Sequence, residues 1–201
     1  MKKVLFILTI SAIILLTGCA ANLPISSSIN DFVYMGTKTN TKDFVTLSFK
    51  SNVLDGKIIP YKKDKAGSVG GVEYTHGEST ILNNMINEYM SNKFSKLNAG
   101  SDIQIEVTLK DFWIEQYSTD SGGMQVLKAL AETPANYMCT AKLKLEVHVK
   151  VNGEDKVKLI TATSDNSNQG YSLDRAHAEN INKVNNKAIM LMNAYFEEIG
   201  L

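Results

Sequence analysis

Apolar positions recur along the chain with two different periods, which predict two kinds of secondary structure. Spacings of three and four residues predict a helix over about 79–97 and a longer helix from about 173 to 199. Alternation of apolar and polar residues predicts half-buried strands, clearest at 103–109 and 137–151. An aromatic and β-branched run at 44–49 predicts an earlier strand. This order indicates an α+β fold, an antiparallel β-sheet with two main amphipathic helices packed on one face.

The strand that begins at Ile103 changes phase near Lys110. Apolar residues occupy odd positions before Lys110, and the even positions Phe112 and Ile114 after it. Because successive side chains of a strand point to opposite faces, a shift of one residue predicts a β-bulge. Beyond the bulge, Trp113 is expected to point away from the helices.

The Asn-Gly sequence at 152–153 predicts a hairpin between two strands, and its register depends on the loop length. A two-residue loop would set Leu159 opposite Glu146 and so mix apolar with charged side chains. A three-residue loop, 151–153, would set Leu159 opposite Leu145, an apolar pair that contributes about 0.2–1 kcal/mol. We therefore predict the three-residue loop.

The N-terminus has the pattern of a secretory signal. Lys2 and Lys3 precede an apolar run at 4–16, which is followed by Leu-Thr-Gly-Cys at 16–19. About 13 apolar residues are too few for a helix to cross a hydrocarbon core of about 30 Å. The segment is therefore expected to be a cleaved signal rather than a membrane-spanning helix.

The end of this segment resembles the lipobox of bacterial lipoproteins. The resemblance implies a diacylglyceryl thioether on Cys19, cleavage before it and acylation of the new amine. The predicted organisation is a signal peptide at 1–18, a lipidated cysteine with a tether at 19–28, and a single α+β domain at 29–201. Ala20 is not the aspartate associated with inner-membrane retention. The expected location is the outer membrane of a Gram-negative envelope, with the domain facing the periplasm.

Charge and composition exclude several function classes. Lys+Arg and Asp+Glu number 21 each, so the chain lacks the basic excess that nucleic-acid binding requires. Two cysteines and three histidines, with no pair at metal-ligand spacing, predict neither a disulfide scaffold nor a metal site. No motif for a cofactor is present, and none is expected.

Candidate catalytic residues are scattered. Cys139 lies on the apolar phase of its strand and His148 on the polar phase, so the two are not expected to meet. His177, near the start of the last helix, is expected to be solvated. Glu115 and Asp120 flank a glycine-rich loop and form the best available carboxylate pair for an enzyme acting on peptidoglycan. Nothing singles that pair out, so we predict that the protein is not an enzyme.

A partner surface is predicted where the bulged strand ends. Trp113 and Tyr117 share one face of the strand, and the polar loop 118–123, which contains Asp120, follows. Exposed tryptophan and tyrosine often dominate binding energy, at about 2 kcal/mol or more each. The alternative is that segment 124–130 folds over Trp113 and buries it.

The pattern as a whole resembles the YajG family of Gram-negative lipoproteins. The likeness covers about 79 to the C-terminus and rests on the lipobox and on four segments: 81–94, 102–113, the hairpin 142–160 and the helix 180–195. It implies a periplasm-facing lipoprotein and supplies no catalytic residues. The expected function is a non-enzymatic envelope protein that binds a protein or glycan. An accessory lipoprotein of an envelope lipid or ABC-type transport system and a peptidoglycan-modifying enzyme are the alternatives.

Overall fold

The computed structural model describes residues 21–24, 44–55, 72–75, 77–98, 102–118, 137–164, 167–169 and 173–201. The described elements follow the chain in this order: β1 (Ala21–Pro24), β2 (Val45–Ser51), β3 (Val72–Thr75), α1 (Glu78–Lys93), β4 (Ile103–Ser118), β5 (Tyr137–Val151), β6 (Glu154–Thr163), β7 (Ser167–Gln169) and α2 (Leu173–Glu198). The predicted signal peptide and Cys19 lie outside the described residues. The two predicted helices are present as α1 and α2.

A single sheet organises the domain and confirms the α+β class. Its strand order is β2-β4-β5-β6, and β7 pairs with the start of β5 beyond the end of β6. The pairs β4–β5 and β5–β6 are antiparallel, as predicted. Strand β7, which the sequence pattern did not predict, is also antiparallel to β5. Strands β2 and β4 are parallel instead, with Val45 opposite Ile103. The reason is topological, because the chain passes through α1 between these strands and returns in the same direction.

The predicted bulge is present in β4. The register with β5 shifts between Leu109 and Asp111. Beyond it, Phe112 and Ile114 are buried in the core that the helices cover. The bulge thus keeps the inner face of β4 apolar from Ile103 to Ile114.

The predicted register of the β5–β6 hairpin is wrong. Val151 pairs with Glu154 across a two-residue loop, and Asn152 and Gly153 have φ angles of 52° and 83°. Two positive φ angles are typical of a type I′ turn, whose twist matches that of the strands it joins. The turn geometry therefore outweighed the apolar cross-strand pairs on which the prediction rested.

The correction reverses the two faces of β6. Leu145 pairs with Ile160, whereas Leu159 lies opposite Glu146. Ile160 and Ala162 are buried against α2, and Leu159 points to the outer face of the sheet. The predicted pairing of Leu159 with Leu145 is therefore wrong, because an apolar residue of a half-buried strand does not always face inward.

The core lies between the inner face of the sheet and the two helices. Tyr89 lies in α1, and Phe94 directly follows the last residue of this helix. The rings of both contact the ring of Phe196 in α2, with centroid distances of 6.5 Å and 6.2 Å. Such aromatic pairs contribute about 0.5–1.5 kcal/mol beyond the area they bury. They join the C-terminal parts of the two helices.

The N-terminus of α1 is capped from a distant part of the chain. Gly77 occupies the N-cap position and supplies no side-chain hydrogen bond. The carboxylate of Asp55 accepts hydrogen bonds from the backbone amides of Ser79 and Thr80, at 2.8 Å and 3.1 Å. A negative charge here also interacts favourably with the positive end of the helix dipole. Asp55 therefore fixes the end of β2 to the start of α1.

Part of the predicted tether is ordered as a strand. Ala21–Pro24 pairs in parallel with β3, so that Ala21 lies opposite Val72. The remainder of the tether lies outside the described residues.

Candidate functional site

The predicted partner surface is only partly within the described structure. Trp113 lies opposite Lys142 on the outer side of the sheet, as predicted, but its side chain is only 6% exposed. The Lys144 ammonium lies over the indole ring, 5.5 Å from its centroid. The expectation of an exposed tryptophan is therefore wrong, because an outward direction does not ensure contact with solvent. The Tyr117 side chain and Asp120 lie outside the described part, and their role stays a prediction.

A buried cysteine–histidine pair is the feature that the sequence analysis missed. Cys139 is fully buried on the inner face of β5, as predicted, and His177 is also fully buried rather than solvated. The Cys139 Sγ and His177 Nδ1 atoms are 2.9 Å apart. The signal was available, because His177 continues the apolar stripe of α2 through Ile181 and Val184 at helical spacing.

The chemistry of this pair is limited by its burial. Desolvation raises the pKa of the Cys139 thiol to about 12, so the sulfur stays protonated at neutral pH. Nucleophilic cysteines need a thiolate that substrate can reach. The contact between the protonated thiol and His177 Nδ1 joins the start of α2 to β5. We interpret it as structural.

A second buried polar cluster connects the two helices. Asn193 Oδ1 accepts hydrogen bonds from the Tyr89 hydroxyl at 2.7 Å and from the Lys93 ammonium at 3.2 Å. The Asn193 amide donates to Glu197 at 2.8 Å. Burial lowers the pKa of Lys93, and the nearby charge of Glu197 opposes that effect. Tyr89, Lys93 and Asn193 are buried, whereas Glu197 is exposed, so the buried members of the cluster have a structural role.

The outer face of the sheet carries paired charges. Lys110 and His148 both lie within hydrogen-bond distance of Glu146, at 3.1 Å and 3.2 Å, and these two contacts lower the pKa of that carboxyl. On the neighbouring strands β2 and β4, Lys50 Nζ and Glu106 Oε2 are 2.6 Å apart. Carboxylates held by cations in this way are poor general acids. The Glu115 side chain and Asp120, the carboxylates considered for peptidoglycan chemistry, lie outside the described residues.

Two further features of the described residues concern metal binding and membrane crossing. No group of three or more histidine, cysteine, aspartate or glutamate side chains is placed to hold a metal ion in these ranges. None of the described helices is long and apolar enough to cross a membrane.

Comparisons with known proteins give two structural likenesses. No protein-family profile matches the chain, and no curated protein matches it in sequence. The crystal structure of protein XCC0632 from Xanthomonas campestris, of family DUF330, is similar at 10% identity and a TM-score of 0.44, over 89% of this chain and 99% of that one. A crystal structure described only as an uncharacterized protein is similar at 10% identity and a TM-score of 0.39, over 76% of this chain and 94% of that one. Likenesses of this strength assign neither a family nor a function to the chain.

Proposed function

We propose that this chain is a lipid-anchored envelope protein of YajG-like type, attached through Cys19 to the outer membrane and facing the periplasm. Its α+β domain binds another envelope component, a protein or a glycan, without catalysis. The observation that carries the proposal is the lipobox at 16–19, directly after a short apolar segment with two lysines before it. Two or three acyl chains on one residue give stable membrane attachment, whereas one chain does not.

The non-enzymatic part of the proposal is supported by the geometry of the described side chains. The Cys139 thiol is enclosed and protonated, and Glu146 and Glu106 are bound by lysines. A catalytic residue needs both access to substrate and a suitable protonation state. These side chains lack one or the other, so binding is the better-supported function.

The attachment is tested by labelling with a palmitate analogue and by separating the two membranes on a sucrose gradient. We expect the wild-type protein to carry label and to sediment with the outer membrane. Cys19→Ser should lose the label and keep its signal segment. Ala20→Asp is the matched control, because it should keep the label but move to the inner membrane. Equal labelling of wild type and Cys19→Ser would refute the attachment.

The binding function is tested separately on the purified protein and on intact envelopes. Incubation with murein should release no new fragments, and new fragments would establish the peptidoglycan enzyme instead. Chemical crosslinking in envelopes should capture an envelope protein or murein. Repeated capture of one transporter would identify the accessory role in transport.

A further inference from the structure

Strand β6 has an open edge and an apolar surface beside it. Among the described strands, β6 has β5 as its neighbour on one side and none on the other. On the outer face, Val157 is 54% exposed and Leu159 is 61% exposed. An exposed edge with apolar side chains is the usual template for pairing with another strand.

Helix α2 extends this surface on the inner face of the sheet. It runs antiparallel to β6. Lys158, early in β6, contacts Glu198 at the end of α2 at 3.1 Å. Thr163, at the end of β6, shares a groove with the earlier helix residues Lys187 and Met190. Met190 is 54% exposed. The strand edge and the flank of the helix therefore form one continuous strip, which we call the β6 strip.

Charge is distributed unevenly along the β6 strip. At the end near Thr163, Lys183 and Lys187 are exposed, one helical turn apart, and neither has an ion-pair partner among the described residues. Glu179 lines the same groove, so two bases face one acid and this end has a net positive charge. Two like charges at this spacing destabilise a helix by about 0.2–0.5 kcal/mol. The opposite end has a net negative charge, since four acids face two bases: Glu154, Asp155, Glu197 and Glu198 against Lys156 and Lys158. The strip is thus cationic at one end, apolar in the middle and acidic at the other end.

We propose that the occupant of the β6 strip is a second copy of this chain, bound antiparallel about a two-fold axis near Leu159. A two-fold axis brings each end of the strip against the opposite end of its partner. The cations of one copy then meet the acids of the other, and the apolar centre meets itself. With Leu159 opposite its own copy, Val157 lies opposite Thr161 and all three stay on the outer face.

The size of the strip and the state of its lysines agree with pairing. A ten-residue strand spans about 33 Å, and a sheet with one helix layer is about 20 Å deep, so each copy buries on the order of 600–700 Å². That area falls within the range of specific interfaces. Edge lysines normally oppose strand pairing. Here Lys156 lies 3.9 Å from Glu154, and Lys158 is bound to Glu198, so each charge is balanced within its own chain.

Disulfide formation in native envelopes tests the proposed axis. Leu159→Cys places two thiols at a cross-strand position about 5 Å apart, so a dimer band should form without added crosslinker. Ser48→Cys is the matched control, because it is exposed on the outer face of the opposite edge strand and should stay monomeric. The parent chain shows whether Cys19 or Cys139 contributes a band. Equal bands from Leu159→Cys and Ser48→Cys would overturn the proposal.

Sedimentation of the purified mature chain in detergent tests the association independently of the anchor. The wild-type protein should dimerise, and Leu159→Glu should raise the dissociation constant about tenfold or more. Lys183→Glu with Lys187→Glu should weaken the dimer similarly, whereas Ser48→Glu should leave it unchanged. A monomer at every concentration, or a dimer insensitive to Leu159→Glu, would contradict the proposal. Neither result bears on lipidation of Cys19.

Discussion

The substitution Asn193→Ala tests how far one buried side chain joins the two helices. The Asn193 amide oxygen is the shared acceptor for the Tyr89 hydroxyl and the Lys93 ammonium, and all three residues are at most 4% exposed. Alanine removes this acceptor and leaves water little access to replace it. Both donors lose a partner in an environment that penalises buried polar groups.

The size of the effect follows from the two lost hydrogen bonds. Each buried donor deprived of its acceptor costs about 1–3 kcal/mol, and we take about 1 kcal/mol for the Tyr89 hydroxyl and about 2 kcal/mol for the charged Lys93 ammonium. Alanine favours the helix over asparagine by about 0.6 kcal/mol, which offsets part of the loss. We expect a net destabilisation of about 2.5 kcal/mol. For a domain of this size, that lowers the melting temperature by about 5–10 °C.

Urea unfolding followed by circular dichroism measures this difference. Asn186→Ala is the matched control, because the Asn186 amide donates only to the backbone carbonyl of Asn182 in its own helix, at 3.0 Å. That variant should change the free energy of unfolding by less than about 0.5 kcal/mol. If the two variants lose equal stability, the Asn193 cluster does not hold the helices together.

Three further predictions concern the buried thiol, the helix cap and the turn. Between pH 9 and 12 the unfolded chain releases the Cys139 proton while the folded chain retains it. In denaturant titrations the free energy of unfolding of the wild type should therefore fall more steeply with rising pH than that of Cys139→Ala. Parallel pH profiles of the two proteins would contradict the raised pKa. Asp55→Ala should lower the free energy of unfolding by about 1–2 kcal/mol in thermal unfolding because α1 loses its cap. A loss no larger than that of Glu88→Ala, at an exposed acid of the same helix, would disprove capping. Gly153→Ala should lower the free energy of unfolding by about 1 kcal/mol, because the φ angle of 83° strains any residue with a Cβ atom. No steric clash adds to this strain, since a Cβ at this position meets no atom within 4 Å. An unchanged stability would contradict the two-residue turn.

Local periodicity was sufficient to predict both helices, the longer strands of the main sheet and the buried face of the central strands, but not the short strands β1, β3 and β7. Leu145, Val147 and Val149 are fully buried, as their alternation with charged residues predicted. The bulge after Leu109 was also predictable, because a phase change is visible within a few residues of sequence. These features depend on neighbours along the chain, which a sequence displays directly.

Contacts between distant segments were not predictable by the same reasoning. Asp55 caps a helix that begins 23 positions later, and Cys139 meets His177 across 38 positions. The predicted hairpin register was wrong for a different, local reason. The type I′ turn at Asn152 and Gly153 fixes a pairing in which Leu159 lies on the outer face, and the apolar pairs favoured the other register.

Mass spectrometry of the N-terminal peptide of the protein isolated from envelopes tests lipid attachment at Cys19. We expect the chain to begin at Cys19 and this residue to carry the added mass of a diacylglyceryl group and an acyl chain. A chain that retains residues 1–18, or that begins elsewhere with an unmodified Cys19, would contradict it.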